Sequence, residues 1–502
     1  MKRQLLVFAL AVSLLAPAGL TASAAAPQRT APRRPQRPAT AQTPATAPAP
    51  APQGPLAEAA PLVSKTLPNG LEIIVLEDHS VPLVTVELAV RNGSFTESPE
   101  LNGLSHLYEH MFFKANRATK NGEDYLKTID QLGIIYNGET KEELVNYYFT
   151  TTSPNFPVAM RFMRDAARYP SFDPMQFMQE QEVVVGELDR HESNPYGALN
   201  EELNNRLFYK YPSRKNPGGN RQTVRAATPD TMRLIQARYY VPNNSAIVVT
   251  GDVEPQAVFA LVAEMFGDWA PRPKDPFAEF PLVEHPPLPK SEGHIVTKPV
   301  QNVVVQIGWH GPSVGKDDAA TYAADVFSFI IRQPNSRFQR ALTDTGLATG
   351  VGFGYYTQRN VGPIQVVAQT TPDKARAAVA AIYNEIAHFN DPDYYTDEEL
   401  ESAKALLEAD DLYSREKLSD YAHTISFWWA STGLDYFRGY LKRLRATSRA
   451  DISRYVSTYV QGKPHVGLAL MSEESLKASG LTEADLIGPA AAAKSAPATA
   501  RR

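Results

Sequence analysis

The chain has 502 residues, 43% of them hydrophobic, with 50 Lys and Arg against 55 Asp and Glu, a formal net charge of −5 and no cysteine. That length predicts two or three domains with large cores, and the slight acidic balance offers no basic excess for a nucleic-acid backbone. The lack of thiols excludes disulfides, thiolate nucleophiles, iron–sulfur clusters and cysteine-ligated zinc, so any metal must sit on His, Asp and Glu.

At the start of the chain, Lys2 and Arg3 precede an apolar run from Leu5 to Leu15 and the small-residue stretch Thr21 to Ala26. This pattern predicts an export signal over residues 1–26, cleaved near Ala24 or Ala26. The run is shorter than the roughly 20 apolar residues that span a bilayer, and no later segment is long and apolar enough. The expectation is a periplasmic protein without stable membrane insertion, with an uncleaved anchor as the alternative. Residues 27–59, rich in Pro, Ala, Thr and Gln, predict an extended, solvated tether.

The remainder divides at a second proline-rich stretch, giving one domain over 60–270, a stiff linker over 271–292, a second domain over 293–485 and a disordered tail over 486–502. Laid over each other at an offset of about 219 residues, the two domains correspond in order. Val84–Leu88 falls on Val303–Ile307, and Ala246–Thr250, after Tyr240-Val241-Pro242-Asn243, falls on Val466–Leu470. Each half reads as strand, strand, helix, strand, two helices, a longer helical stretch and a final strand. In the first, a hairpin turns at Asn69-Gly70 ahead of Ile73-Ile74-Val75-Leu76. The predicted fold is α+β, a duplicated sandwich in which a mostly antiparallel sheet is covered by helices.

Residues suited to chemistry concentrate in the first half, at His106-Leu107-Tyr108-Glu109-His110. On a helix the two imidazoles share a face and can bind one metal ion, and Glu109 reaches the same side. Apolar Leu104, Leu107, Met111, Phe112 and Phe113 predict that this helix is buried, where unpaired charge is costly. Two His leave a hydrolytic zinc site one ligand short. The best candidate for the third is Glu187, with Glu180 seven residues earlier on the same helical face.

This pattern resembles the pitrilysin/insulinase family of zinc peptidases, the inverzincins: a His-x-x-Glu-His string is followed 77 residues after His110 by Glu187, itself preceded by Glu180. The likeness continues through Thr66–Leu71, Glu109–Lys114, Tyr239–Asn244 and Gly251-Asp252-Val253, and covers essentially the whole region expected to fold. The resemblance implies His106, His110 and Glu187 as ligands of Zn2+, Glu109 as general base and Glu180 as the acid that orients a ligand. It also implies that two homologous domains form a half-shell, and that two half-shells enclose a chamber for peptides or unfolded segments. Substrate capture by β-augmentation would use Tyr136, Asn137 and Gly138 within Leu132–Thr140, where the family usually has Asn-Ala. Read alone, Asn137-Gly138 is an ordinary turn.

The second half departs from the family. At the common offset His106, Glu109 and His110 fall on Asp325, Ser328 and Phe329, and Glu187 falls near Leu406, so one metal site is expected. Family members also carry an Arg and, seven residues later, a Tyr that hold the substrate carbonyl; here those positions are Leu342 and Thr349. Three explanations compete: replacement in cis by Arg337, Arg340, Tyr355 or Tyr356, supply in trans by a homologous zinc-free partner as in processing-peptidase-like heterodimers, or weak activity. A homodimer would not restore the pair. His191 reads as a surface residue and Phe427-Trp428-Trp429 as core or chamber lining. The expected function is a zinc-dependent metalloendopeptidase. The alternative is a noncatalytic binding or assembly subunit of the same fold.

Overall fold

The computed structural model describes residues 61–489; the expected export signal, the proline-rich tether and the end of the tail lie outside the described residues. β1 (Val63–Thr66), β2 (Glu72–Glu77), β3 (Leu83–Val90), β4 (Ile135–Thr140), β5 (Val145–Thr152) and β6 (Ser245–Gly251) form a six-stranded sheet in the order β1-β2-β6-β3-β5-β4. β7 (Glu292–Thr297), β8 (Val303–His310), β9 (Gly350–Tyr355), β10 (Pro363–Thr370) and β11 (Val466–Met471) form a five-stranded sheet in the order β7-β11-β8-β10-β9. With β1 set aside, the two orders match strand for strand. The directions match as well: β2 runs parallel to β6, β7 runs parallel to β11, and the other pairs are antiparallel. The fold is α+β and duplicated, as the residue pattern implies.

Two details correct the sequence reading. Between the first helices and the next helical block each half carries a hairpin, β4–β5 or β9–β10, where one strand was expected. β4 is the exposed edge strand that the family resemblance implies within Leu132–Thr140; pattern alone does not show it, because Ile135, Asn137 and Glu139 are exposed with only partial burial between them. The chain also stays packed beyond residue 485, since Leu486 is fully buried. Gly467 makes room for it, because a Cβ there would fall 1.8 Å from the Leu486 carbonyl oxygen.

Each sheet packs one face against helices of its own half, in cores that include Leu107, Tyr108 and Phe112 in the first and Phe327, Ile330 and Ile331 in the second. The opposite faces are covered by exchange. Helix Pro195–Leu207 sets Leu199, Leu203 and Leu207 on Val304, Val466, Leu468 and Leu470 of the second sheet. Helix Leu418–Ser431 sets Tyr421, Ala422, Ile425 and Trp429 on Ile74, Ala89, Ala246 and Val248 of the first. Both sheets are therefore buried on two sides, which is why their central strands read as continuous apolar runs rather than alternating ones.

Polar contacts tie the same seam. The buried Glu143 carboxylate, in the β4–β5 turn, accepts from the Arg359 and Asn360 N–H groups at 2.8 and 2.9 Å. Lys215 donates to the carbonyls of Asn360 and Val361 at 2.6 and 2.9 Å. The fully buried Glu87 pairs with His423 of the exchanged helix and accepts from Asn146 at 2.7 Å. The stretch expected as a stiff linker lies on the body, with Phe277 5.6 Å from Phe95 between ring centroids and Asn360 donating to the Val283 carbonyl.

Trp429 is fully buried at the exchange and carries the Arg91 guanidinium 3.9 Å above its ring. Replacement by Ala should cost about 3–5 kcal/mol. Thermal unfolding of Trp429→Ala should show that loss as a lower Tm in a transition that involves both halves together.

Candidate metal centre

Helix Leu104–Phe112 buries Leu104, Leu107, Tyr108, Met111 and Phe112, and turns His106, Glu109 and His110 to a half-buried face. Its first turn is held from outside the helix. The carboxylate of Glu97 accepts from the Gly103 and Ser105 N–H groups, each at 2.7 Å, and from the Asn102 side chain at 3.3 Å. Gly103 has φ 89° and abuts Gly219, where a Cβ would come within 2.7 Å of the backbone. Burial pushes the Glu97 carboxyl up to about 7 against the pull of these donors. An acceptor of N-terminal N–H groups is a general device for helix starts, but Glu97 lies in an irregular segment and carries no sequence signature.

The long helix Pro174–Ser193 brings Glu180 and Glu187 to the same face. One Glu187 oxygen, Oε2, lies 3.5 Å from Nε2 of His106 and 3.5 Å from Nε2 of His110. The two imidazoles stand edge to face with centroids 4.9 Å apart, and the donor atoms of the three residues all lie within 4.8 Å of one another. Tetrahedral ligands bound at about 2.1 Å to one ion stand about 3.4 Å apart, so this spacing fits a zinc ion. Burial, with His110 next to it, lowers His106 to about 4 and keeps its ring neutral, the form that ligates. A zinc ion held by these three donors would keep a fourth position for water, the arrangement of hydrolytic rather than structural zinc.

His110 and His106 are supported unequally. Glu180 Oε2 sits 3.1 Å from His110 Nδ1, while its Oε1 sits 2.6 Å from the Lys114 ammonium. Burial works against a charge on His110, but the Glu180 hydrogen bond and the nearby Glu109 and Glu187 outweigh it and raise its pKa. Among the described residues, buried His106 Nδ1 has no hydrogen-bond partner.

Glu109 projects toward β4. Its Oε2 accepts from the Thr140 hydroxyl at 2.7 Å, and burial pushes its carboxyl up to about 7 against that bond. Gly138 admits it, because a Cβ there would lie 2.9 Å from Glu109 Cγ. Asn137 and Gly138 pair with Tyr148 and Tyr147 inside the strand, and the hairpin turns at Lys141–Leu144 instead. β4 ends the sheet, so its outer backbone edge is unpaired by any described strand. Tyr136 lies beside Phe113, with centroids 5.1 Å apart.

The remaining candidates lie elsewhere. His191 is exposed and outside the cluster. Asp325 is buried and accepts from the Tyr440 hydroxyl at 2.7 Å, Ser328 bonds the carbonyl of Ala324, and Leu406 is 48% exposed. Leu342 is fully buried and Thr349 bonds the Gln369 carbonyl. Two of the residues considered as replacements are committed: Arg337 to Glu385 at 3.2 Å, and Tyr355, fully buried, to the Pro312 carbonyl. Among the described residues one other group, Glu77, His79 and Glu254, has metal-like spacing, but it is exposed. Hydrogen bonds to Asp252 and Glu77 raise His79 to about 9, protonating the would-be ligand.

Two family descriptions match this chain: "Insulinase (Peptidase family M16)" over residues 72–216 and "Peptidase M16 inactive domain" over residues 226–407. The chain belongs to the M16, pitrilysin/insulinase, family of peptidases. Among its relatives is an uncharacterized zinc protease of Bacillus subtilis, YmxG, 24% identical over 353 residues that make up 70% of this chain and 84% of the relative. The zinc protease PqqE of Helicobacter pylori is 26% identical over 205 residues, 40% of this chain and 46% of that protein. A solved protease from Helicobacter pylori shares the fold at a TM-score of 0.72 and 22% identity, covering 82% of this chain and 99% of its own. The periplasmic protease PqqL of Escherichia coli does so at 0.69 and 18% identity, over 86% of this chain and 49% of its own.

Because Glu97 is held near 7, above its ordinary 4.5, folding takes up a proton between those values. Its contribution to stability therefore falls as pH rises through that window. In Glu97→Gln this dependence should disappear, read as a pH-dependent difference in Tm from the parent chain. Glu97→Ala, which strands two N–H groups, should cost about 1–3 kcal/mol for each.

Proposed function

We propose that this chain is a zinc-dependent endopeptidase acting on peptides or unfolded polypeptide segments, with His106, His110 and Glu187 as ligands and Glu109 as general base. The observation that carries this reading is the meeting of two helical imidazoles and one carboxylate oxygen at 3.5 Å each, with Glu109 on the same helix. The names of the zinc protease relatives support it. Zinc, when bound, polarises the scissile carbonyl and lowers the pKa of its water to around 7.

The chain's own residues do the rest. An extended peptide adds to the open edge of β4 at Tyr136, Asn137 and Gly138, so main-chain hydrogen bonds hold it beside Glu109. Thr140 occupies Glu109 Oε2, which leaves Oε1 to take the proton of the attacking water and deliver it to the departing amine nitrogen. Glu180 fixes His110 through Nδ1.

The carbonyl-holding Arg and Tyr are best supplied by a homologous zinc-free partner. Leu342 and Thr349 cannot provide them; of the four cis candidates Arg337 and Tyr355 are engaged in their own half, Tyr356 is stacked on Phe427 at 5.9 Å, and Arg340 is exposed. This chain corresponds to about half of the Escherichia coli protease, whose solved first half it matches over 89% of its length. The proposed location is the periplasm, on the strength of the export-signal pattern in residues 1–26. A second reading, a noncatalytic binding subunit, draws support from the "inactive domain" description of residues 226–407.

The chain and its Glu109→Gln variant, each paired with an M16 homologue that co-purifies with it from its host, separate the two readings in a peptide-library assay. The expected loss is about 10²–10⁴-fold, the usual worth of a general base, with zinc content unchanged near one ion per chain. Equal cleavage by both pairs would leave the noncatalytic reading standing.

A further inference from the structure

Glu109, Glu180 and Glu187 set three carboxylates around the two imidazoles. Among the described residues two cations pair with these acids. Arg190 lies 3.4 Å from Glu187 and its side chain is 75% exposed; Lys114 lies 2.6 Å from Glu180 and is 27% exposed. Screening makes the first contact weak. The second is shielded on both sides, since the Glu180 side chain is only 13% exposed.

Lys114 follows the end of helix Leu104–Phe112, and its backbone is placed without help from its side chain. Its N–H bonds the Met111 carbonyl, and the next N–H, of Ala115, bonds Gln176 Oε1 at 3.1 Å. The ammonium is therefore delivered to Glu180 by a fixed segment. Glu180 divides its oxygens between Lys114 and His110 Nδ1. A carboxylate gripped at one oxygen by an ion pair has little rotational freedom at the other, and that other oxygen decides which His110 nitrogen carries the proton.

We propose that Lys114 is a positioning residue for the metal centre, holding Glu180 so that His110 keeps Nε2 free and aimed at the ion. This inference rests on the zinc reading above and adds a residue outside the His-x-x-Glu-His string.

The test is Zn2+ affinity, by competition with a chelator, for the parent chain, Lys114→Met, Lys114→Arg, Glu180→Gln and the Lys114→Met/Glu180→Gln double variant. Lys114→Met should weaken zinc about 10–100-fold, the usual effect of losing a residue that supports a ligand, and Lys114→Arg should recover most of that loss. The Tm of metal-free Lys114→Met should stay at the parent value, and in the Glu180→Gln background the Lys114→Met change should have little further effect. Unchanged zinc affinity in Lys114→Met overturns the proposal, as does a full additional loss in the Glu180→Gln background. A parent chain that takes up no zinc overturns the metal reading itself, and this inference with it.

Discussion

A sheet with two apolar faces must be covered twice, and neither half of this chain covers its own sheet alone. The first half buries one face of its sheet under its own helices and leaves Ile74, Ala89, Ala246 and Val248 for Trp429 and its neighbours from the second half. The second half leaves Val304, Val466, Leu468 and Leu470 for Leu199, Leu203 and Leu207 from the first. This mutual covering sets the relation between the halves. The polar contacts of Glu143, Lys215 and Glu87 across the seam follow from it, since such buried groups hold only where partners are fixed.

The candidate metal centre depends on that frame through the β4–β5 hairpin. The turn of the hairpin, at Glu143, is bound to the second half, and the end of β4 that enters this turn carries Thr140 and Gly138 against Glu109. The strand edge beside Glu109 and the seam are thus joined through one hairpin. Helix Leu104–Phe112 is fixed independently, by its apolar face on the sheet and by Glu97 at its first turn. Two anchored elements meet at Glu109, which leaves that side chain little freedom even though it is held at a site rich in like charge.

Much of this was legible in the residues. The duplication shows because strands buried on both faces, such as Ile73–Leu76 and Val303–Ile307, leave continuous apolar runs at a common offset. His106, Glu109 and His110 show because helical spacing is local, and Glu187 because family spacing points to it. β4 is legible as an edge strand through the family resemblance, whereas Asn137-Gly138 read alone is a turn. Glu97, Thr140 and Lys114 were missed because each acts across a tertiary contact that no local period encodes. The exchange of helices was invisible for a related reason: an amphipathic pattern in Pro195–Leu207 reveals that one face is buried, not which sheet receives it.

The two crossing helices stand at corresponding places in the repeat, so the arrangement has the form of a two-fold domain swap tied into one polypeptide. Separated, each half would expose an apolar sheet face; held in one polypeptide, the two cover each other at any concentration.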